Sequence, residues 1–525
     1  MVLTQENNLE TINLIQKLVM PDLAAASPDA PALIQITADG ERKLSYRDLR
    51  ALIDKAESRL QSCGLKAGEK LLILAPNSPE VVAALLAAFR LGALAVPVDF
   101  RMTLPELTNI AEKLAVKHLL STNSVLQQLK DDFSAFANGH TLTAIETIEN
   151  EVPSQSVKER EKVTDHRQLT DPAFLILTSG TTGMPKGALH DLHSLVHNIK
   201  ELAEMAALTD GKKLVLPVPL SHVLGLEVTM AALLGNGCVI IAEMSVEGII
   251  KANNLHQPEF LVGVPTIYGA ILTLPKELID LSKAEVLLCG GAPLPLSLAE
   301  EFEKKFAKRL NNGYGSTESK IIAVNLEGPR QSVGKVVPSC RIEILPIGEE
   351  ANNKPLSEGE TGEIVICGPT LMLGYIGQAE ATAAVMRDGG YRTGDIGYMQ
   401  DGYLYVMGRN KEMIIVAGNK VFPAEVESVL RKCPLVKDVA IIGVAHSRLG
   451  QIVKAHIILG DEELSAALTA EETKKEASVK AKEQLRSYCQ ENLKRELRPM
   501  EWVFYPASHV FAKTFSGKVD KKQLS

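Results

Sequence analysis

The chain has 525 residues, 46% of them hydrophobic, and its 56 Lys and Arg against 64 Asp and Glu leave a formal net charge of −8. That length exceeds what one core organises and predicts two or three domains, and with no basic block the chain offers nothing to nucleic acid. Seven scattered cysteines (Cys63, Cys238, Cys289, Cys340, Cys367, Cys433, Cys489) never form a C-x-x-C pair, so they read as reduced packing residues of a cytoplasmic protein. The N-terminal MVLTQENNLETINLIQKLV carries acids where a signal peptide needs an apolar core. No apolar run is long enough to span a bilayer, so no membrane association is expected.

From Ala32 to Val98 short β-rich runs alternate with helical ones. ALIQIT and KLSY read as strands, and YRDLRALIDKAESRLQSCG as an amphipathic helix ending at Gly64. KLLILAP reads as a strand, and SPEVVAALLAAFRLGA as a helix that starts after Pro79 and stops at Gly92. A second round follows with ALAVPVD, a helix from Leu104 to Lys117, and HLLST. Such alternation predicts a parallel sheet covered on both faces. The polar stretch from Glu149 to Thr170 reads as a surface connection.

Next comes LTSGTTGMPKGALH, Leu177 to His190, around which the rest is organised. Gly180, Gly183 and Gly187 alternate with the hydroxyls of Thr178, Ser179, Thr181 and Thr182, and Lys186 follows a proline. Glycines free backbone N–H groups to point inward, hydroxyls add donors, and lysine adds a point charge, which together suit phosphate oxygens. The run AFLILT before the loop reads as a buried strand, and ALHDLHSLVHNIKEL after it as a helix. No Gly-Lys-Ser/Thr triplet closes the loop, which disfavours a Walker-type NTPase. A mere Gly/Ser/Thr linker is disfavoured by the strand and helix on either side.

Beyond the loop, KLVLPVPL, a helix after Gly225, CVIIAE, EFLVGVPT and AEVLLCGG continue the strand and helix alternation. From Ser332 to Tyr405 the short β runs RIEILP, GEIVICG and GYLYVMG, separated by turns, predict a small antiparallel barrel or sheet. After Gly408 a compact α+β pattern runs to the end, with Asp461 to Glu483 as a solvated helix or loop. The expected architecture is α/β, with a large N-terminal domain of several subdomains (1–408), a hinge at 409–411 and a small α+β C-terminal domain (412–525).

Five further stretches carry chemistry: CGGAPLP (Cys289 to Pro295), NNGYGSTES (Asn311 to Ser319), YRTGDIG (Tyr391 to Gly397), GRNKEMIIVAGNKVFPAEVE (Gly408 to Glu427) and TFSGKVDKKQL (Thr514 to Leu524). In this order, together with the loop, they resemble the adenylate-forming superfamily of acyl-CoA synthetases, peptide-synthetase adenylation domains and luciferases. The resemblance covers nearly the whole chain. It implies ATP and Mg²⁺, and a small C-terminal domain that rotates about Lys411 between two half-reactions.

Roles transfer by position. Thr178, Ser179, Gly180, Thr181, Thr182, Gly183 and Lys186 hold the β- and γ-phosphates. Tyr314 stacks on adenine, with Gly291, Ala292 and Pro293 as the other wall, and Gly315 and Ser316 continue that stretch. Thr317 touches the α-phosphate and Glu318 ligates Mg²⁺. Asp395 accepts the ribose hydroxyls and Arg409 supports the ribose. Lys518 is the catalytic ammonium, stabilising charge that grows as a carboxylate attacks the α-phosphorus.

The acid side departs from the commoner text. In PLSHVLGLEVTM, His222 matches the family's aromatic position beside the acyl pocket, and Ser221 replaces the usual aromatic before it. Glu227 lies in an otherwise apolar helix at a position that faces the acyl substrate in relatives. It either holds the nitrogen of an amino or imino acid, or faces solvent or an internal Lys or Arg. The ending GKVDKKQL resembles peptide-synthetase adenylation domains, and Ile415 stands where many CoA-using relatives carry lysine. These features suggest a small amino acid, proline first, activated as in free-standing prolyl-carrier-protein ligases and passed to the phosphopantetheine thiol of a separate carrier protein. The alternative is a CoA ligase for a medium or aryl carboxylic acid. A binding protein without turnover, a kinase or ATPase, and a luciferase-like oxygenase are less well matched.

Overall fold

The computed structural model describes residues 5–24, 27–37, 40–153, 169–178, 186–209, 211–348, 354–387, 389–512 and 519–524. Two large sheets, one smaller antiparallel sheet and a C-terminal α+β unit account for its strands. Among the described residues no helix is long and apolar enough to cross a membrane.

The first large sheet has seven strands. Lys70–Leu74, Leu94–Val98, His118–Ser121, Thr141–Ala144 and Pro172–Thr178 run parallel, and Lys186–Asp191 and Gly374–Tyr375 add antiparallel partners at one edge. Leu71, Leu72, Ile73 and Leu74 are all buried, as a parallel sheet covered on both faces requires. The flanking helices start and stop where their caps dictate. Tyr46–Ser62 opens on a capping box between Ser45 and Asp48, and Pro79–Leu91 opens on the Ser78 hydroxyl and ends at Gly92 with φ 70°. The helix expected to reach Lys117 stops at Lys113.

The second large sheet has nine strands, in the order Lys335–Val336, Lys320–Val324, Leu310–Ser316, Val286–Cys289, Phe260–Gly263, Lys213–Leu216, Cys238–Ile241, Pro31–Thr37 and Gly40–Ser45. Its centre is parallel, and antiparallel pairs close both edges. One hydrophobic cluster joins the two large sheets, and helix Val223–Leu234 lies within it, buried from Gly225 to Leu233.

The expected small β unit is a five-stranded antiparallel sheet built on Arg341–Leu345, Gly362–Cys367, Gly390–Gln400, Tyr403–Arg409 and Met386–Arg387. A 3-10 turn, Asn410–Glu412, follows it. The chain from Ile414 onward then builds its own core around strands Val436–His446 and Gly450–Leu459. Helix Glu471–Asn492, read from sequence as solvated, packs Ala477, Ala481, Leu485 and Cys489 into that core. The four positions repeat every four residues and form one buried stripe, which the surrounding Lys and Glu conceal in the text.

One difference from the sequence reading matters for function. The stretch after the glycine-rich loop does not begin as a helix: Lys186–Asp191 is a strand, antiparallel to Pro172–Thr178, with Thr178 opposite Lys186. The helix Leu192–Met205 starts only after Asp191, whose carboxylate accepts the Ser194 N–H at 2.7 Å. Gly187 explains the strand, since a Cβ there would lie 2.8 Å from Leu175 Cδ1 on the neighbouring strand. The glycine-rich stretch therefore stands between two antiparallel strands and not between a strand and a helix.

In the C-terminal unit His456 is buried and its Nδ1 lies 2.9 Å from the Tyr505 hydroxyl. Burial, with a smaller contribution from Lys454, pushes its imidazole from 6.5 down to about 4. A depressed histidine contributes stability that is complete above pH 6.5 and is lost as pH falls from there toward 4. Fluorescence of Trp502, the chain's single tryptophan and a neighbour on the same sheet, should report that loss during denaturant unfolding. His456→Phe should remove the component between those pH values.

Candidate functional site

The carboxyl ends of the parallel strands converge with the hairpin Leu310–Ser316 and Lys320–Val324, where open α/β sheets place their ligands. Pairing of Cys289 with Asn312 sets Gly290–Pro293 beside Gly313 and Tyr314. Gly291 has φ +75°, and a Cβ on Gly290 would come 3.4 Å from Leu224 Cδ2, so this wall is kept thin. Ala292 is half-buried and Pro293 exposed. Gly315 has a steric reason of its own: a Cβ there would lie 2.1 Å from the Lys320 carbonyl oxygen. Ser316 forms the turn with Ser319, hydroxyl to hydroxyl at 2.9 Å.

One group of polar side chains lies at the hairpin's base. The Tyr314 hydroxyl donates to Asp395 Oδ2 at 2.8 Å, and Arg409 Nε donates to Asp395 Oδ1 at 2.7 Å. Asp395 stands opposite Arg409 on the neighbouring strand and is 5% exposed. An ionised carboxylate accepts from more than one donor at once, which suits it to hydroxyl groups.

A second group lies at the hairpin's turn. The Tyr375 hydroxyl donates to Glu318 Oε1 at 2.7 Å, and Lys186 Nζ sits 4.8 Å from the centre of the Tyr375 ring. The Glu318 carbonyl accepts the Met372 N–H at 2.8 Å, and the Thr317 carbonyl accepts from His190 Nε2 at 2.8 Å. Because a carbonyl only accepts, His190 must carry its proton on Nε2. Burial, reinforced by the Lys320 charge, holds this imidazole far below its ordinary value, so it is neutral. Glu318 carries carboxylate oxygens, the donor type that suits Mg²⁺, and its backbone carbonyl is held by the Met372 N–H.

The acid side centres on the loop before helix Val223–Leu234. Asn77 joins the two large sheets here: its Nδ2 donates to the Val218 carbonyl at 2.8 Å and its Oδ1 accepts the Leu220 N–H at 2.9 Å. His222 follows at the helix N-cap, half-buried, and burial holds its imidazole below the ordinary value while the Asp99 charge opposes that shift. Asp99 is itself clasped by Arg101 through two contacts, 2.9 and 2.6 Å.

Glu227 requires a correction. It is fully buried, and its Oε2 accepts the Ile321 N–H at 2.8 Å, so it points into the body of the protein and not toward a ligand. Burial raises its carboxyl to about 8, with the charge of fully buried Lys320 pulling the other way. Lys320 in turn donates to Ser194 Oγ at 3.0 Å and to the Thr370 carbonyl. The acceptor role of Glu227 is thus taken by a backbone N–H of the neighbouring strand, and Lys320 acts on it only through its charge.

Other expected residues lie elsewhere. Thr178 and Lys186 face each other at the mouth of the glycine-rich hairpin. Ser179, Gly180, Thr181, Thr182, Gly183 and Lys518 lie outside the described residues. Lys411 is exposed on the 3-10 turn after Arg409, and Ile415 is 47% exposed on the next strand. The sequence reading missed Asn77, His190, Lys320 and Tyr375. Only Lys320 carried a signal, a charge two residues after Glu318 at the start of an apolar run.

Removing Glu227 takes from buried Lys320 the opposing charge that acts on it and from the Ile321 N–H its acceptor, at a cost of roughly 3 kcal/mol. Glu227→Leu is expected to destabilise the protein by about that amount in denaturant unfolding. Adding Lys320→Met should recover part of the loss, and equal stabilities for the single and double variants would contradict the electrostatic coupling.

The family descriptions fit this geometry. The AMP-binding enzyme family matches residues 21–376, and the AMP-binding enzyme C-terminal domain matches residues 425–518. The chain is 32% identical over 449 residues to a feruloyl-CoA synthase of Amycolatopsis sp, covering 83% of this chain and 87% of that one. An indoleacetate–CoA ligase of Aromatoleum aromaticum is 31% identical over 432 residues, covering 80% and 84%. The crystal structure of ATP-bound MatB from Rhodopseudomonas palustris superposes with a TM-score of 0.82 at 25% identity, covering 97% of this chain and 98% of that one. The chain belongs to the AMP-binding enzyme family: it is an adenylate-forming, AMP-releasing acid–thiol ligase that works with ATP and Mg²⁺.

Proposed function

We propose that this enzyme activates an uncharged aromatic or medium-length carboxylic acid and passes the acyl group to the thiol of free coenzyme A. The observation that carries the reading is the inward turn of fully buried Glu227 onto the Ile321 N–H, which gives the one carboxyl of the acyl-side helix an internal partner in place of a substrate amine. What remains along that wall is Leu224, Val264, Gly290, Gly291 and a neutral His222. Curated relatives that share most of the chain's length are named as ligases that make CoA thioesters of aromatic acids. Proline and a carrier protein find no support in the geometry or among these relatives.

In this reading Asp395, with Tyr314 and Arg409, orients the ribose and adenine. Lys186, opposite Thr178 on the neighbouring strand, meets with Ser179, Thr181 and Thr182 the phosphates that leave as pyrophosphate. Glu318 would hold Mg²⁺, which when bound neutralises charge on the phosphate oxygens. The acid's carboxylate oxygen forms a bond to the α-phosphorus as the bond to pyrophosphate breaks, giving acyl-adenylate. The thiolate of CoA then adds to the acyl carbon and AMP leaves. Lys518 places its ammonium on the oxygens where charge grows in the first step. The proposed hinge at Lys411 then withdraws it, with residues 1–408 and 412–525 as the two bodies.

The reading is tested by acid-dependent pyrophosphate exchange across cinnamic, aryl-acetic, medium-chain and amino acids, followed by thioester formation with CoA or a pantetheinylated carrier. Exchange confined to the aromatic or medium-chain acids, with CoA as acceptor, is expected, and exchange confined to proline would overturn it. Lys518→Ala should slow adenylation by about 100-fold. The same variant should convert preformed acyl-adenylate to acyl-CoA at close to the parent rate, since the second step does not use that ammonium.

A further inference from the structure

Tyr375 sits between two groups of opposite charge that both face the triphosphate in the adenylating reading. Its hydroxyl donates to Glu318 Oε1 at 2.7 Å, while Lys186 Nζ lies 4.8 Å from the centre of its ring. The side chain is 7% exposed, and its place is set by the backbone on both sides. Tyr375 pairs with Ala188 on the strand that follows the glycine-rich loop, the Leu373 and Ile376 N–H groups donate to Leu189 and Gly187, and the Tyr375 N–H donates to the Thr382 hydroxyl. The Met372 N–H donates to the Glu318 carbonyl at 2.8 Å. One short segment, 372–376, thus bridges the lysine's strand and the glutamate's turn.

A lysine and a glutamate that reach the same side chain attract one another, and an ion pair formed between them would have to open before either could serve phosphate or metal. A phenol avoids this. Its hydroxyl fixes one carboxylate oxygen without adding charge, and its ring face seats an ammonium by an attraction weak enough for phosphate oxygens to replace. We propose that Tyr375 is a positioning residue that separates Lys186 from Glu318, holding the carboxylate for Mg²⁺ and the ammonium for the β- and γ-phosphates. This rests on the adenylating reading and extends it to a residue that touches neither reacting atom.

Calorimetric titration of ATP and of adenosine, each with and without Mg²⁺, into the full-length protein tests it without turnover. Tyr375→Phe keeps the ring and loses the hydroxyl: its affinity for metal-free ATP should match the parent's, while the gain in affinity conferred by Mg²⁺ should fall about tenfold. Tyr375→Leu loses the ring as well, and should also bind metal-free ATP more weakly because Lys186 collapses onto Glu318. Adenosine affinity should be the same in all three proteins, since Tyr314 and Asp395 are untouched. A full Mg²⁺ gain in Tyr375→Phe, identical behaviour of the two variants, or a parallel fall in adenosine affinity would overturn the proposal. A parent protein that binds ATP no better with Mg²⁺ than without would instead overturn the adenylating reading beneath it.

Discussion

The site depends on two fully buried ionisable side chains, Glu227 behind and Lys320 within the hairpin that carries Tyr314, Thr317 and Glu318. Groups of this kind are costly to bury without hydrogen-bond partners, and here those come from three segments: the hairpin strand itself, the helix Leu192–Met205 and the stretch at Thr370. Glu227 takes the Ile321 N–H, Lys320 takes Ser194 and the Thr370 carbonyl, and neutral His190 takes the Thr317 carbonyl. Asn198 adds a bond from its Nδ2 to the Ile321 carbonyl at 2.8 Å. The acyl-side helix, the strand after the glycine-rich loop, the nucleotide hairpin and the segment around Thr370 are thereby joined through polar bonds with defined directions, which apolar packing alone does not impose. A shift of any one of them leaves a buried polar group unpaired.

From that frame the exposed chemistry follows in layers. Asp395 receives Tyr314 and Arg409 on its two carboxylate oxygens. Glu318 is held by backbone and by a phenol, and Lys186 waits on an aromatic face. These groups belong to strands of three different sheets, and the contacts between them fix distances that no single element could set. Such preorganisation is what electrostatic catalysis of adenylyl transfer requires, since the protein contributes position and charge more than covalent chemistry.

Much of this was legible in the text of the chain. The alternation of strands and helices, the stop of a helix at Gly92, and the order of six motifs led to the fold and the family. What was not legible depended on contacts distant in sequence. Glu227 looked like a substrate ligand because the group it bonds, the Ile321 N–H, lies far downstream and on another element. Ala188–Asp191 read as helix because ALHDLHSL is equally consistent with both periods until the pairing with Pro172–Thr178 is known. Tyr375 sits in an unremarkable GY dipeptide, and its meaning appears only when Glu318 and Lys186 close around it. The preference for proline rested on Glu227 and on the C-terminal GKVDKKQL, and the first of these was removed by the fold. Ile415, exposed where many CoA-using relatives carry lysine, has no structural account beyond its place on the surface of the C-terminal hairpin.

The central claim is that a carboxylate oxygen of the acid attacks the α-phosphorus of ATP. An acid labelled with ¹⁸O in its carboxylate, incubated with the enzyme, ATP, Mg²⁺ and CoA and followed by mass spectrometry of the nucleotide, reports that bond directly. The account predicts AMP carrying one ¹⁸O for each thioester formed. Unlabelled AMP, or ADP with the label in inorganic phosphate, would contradict it.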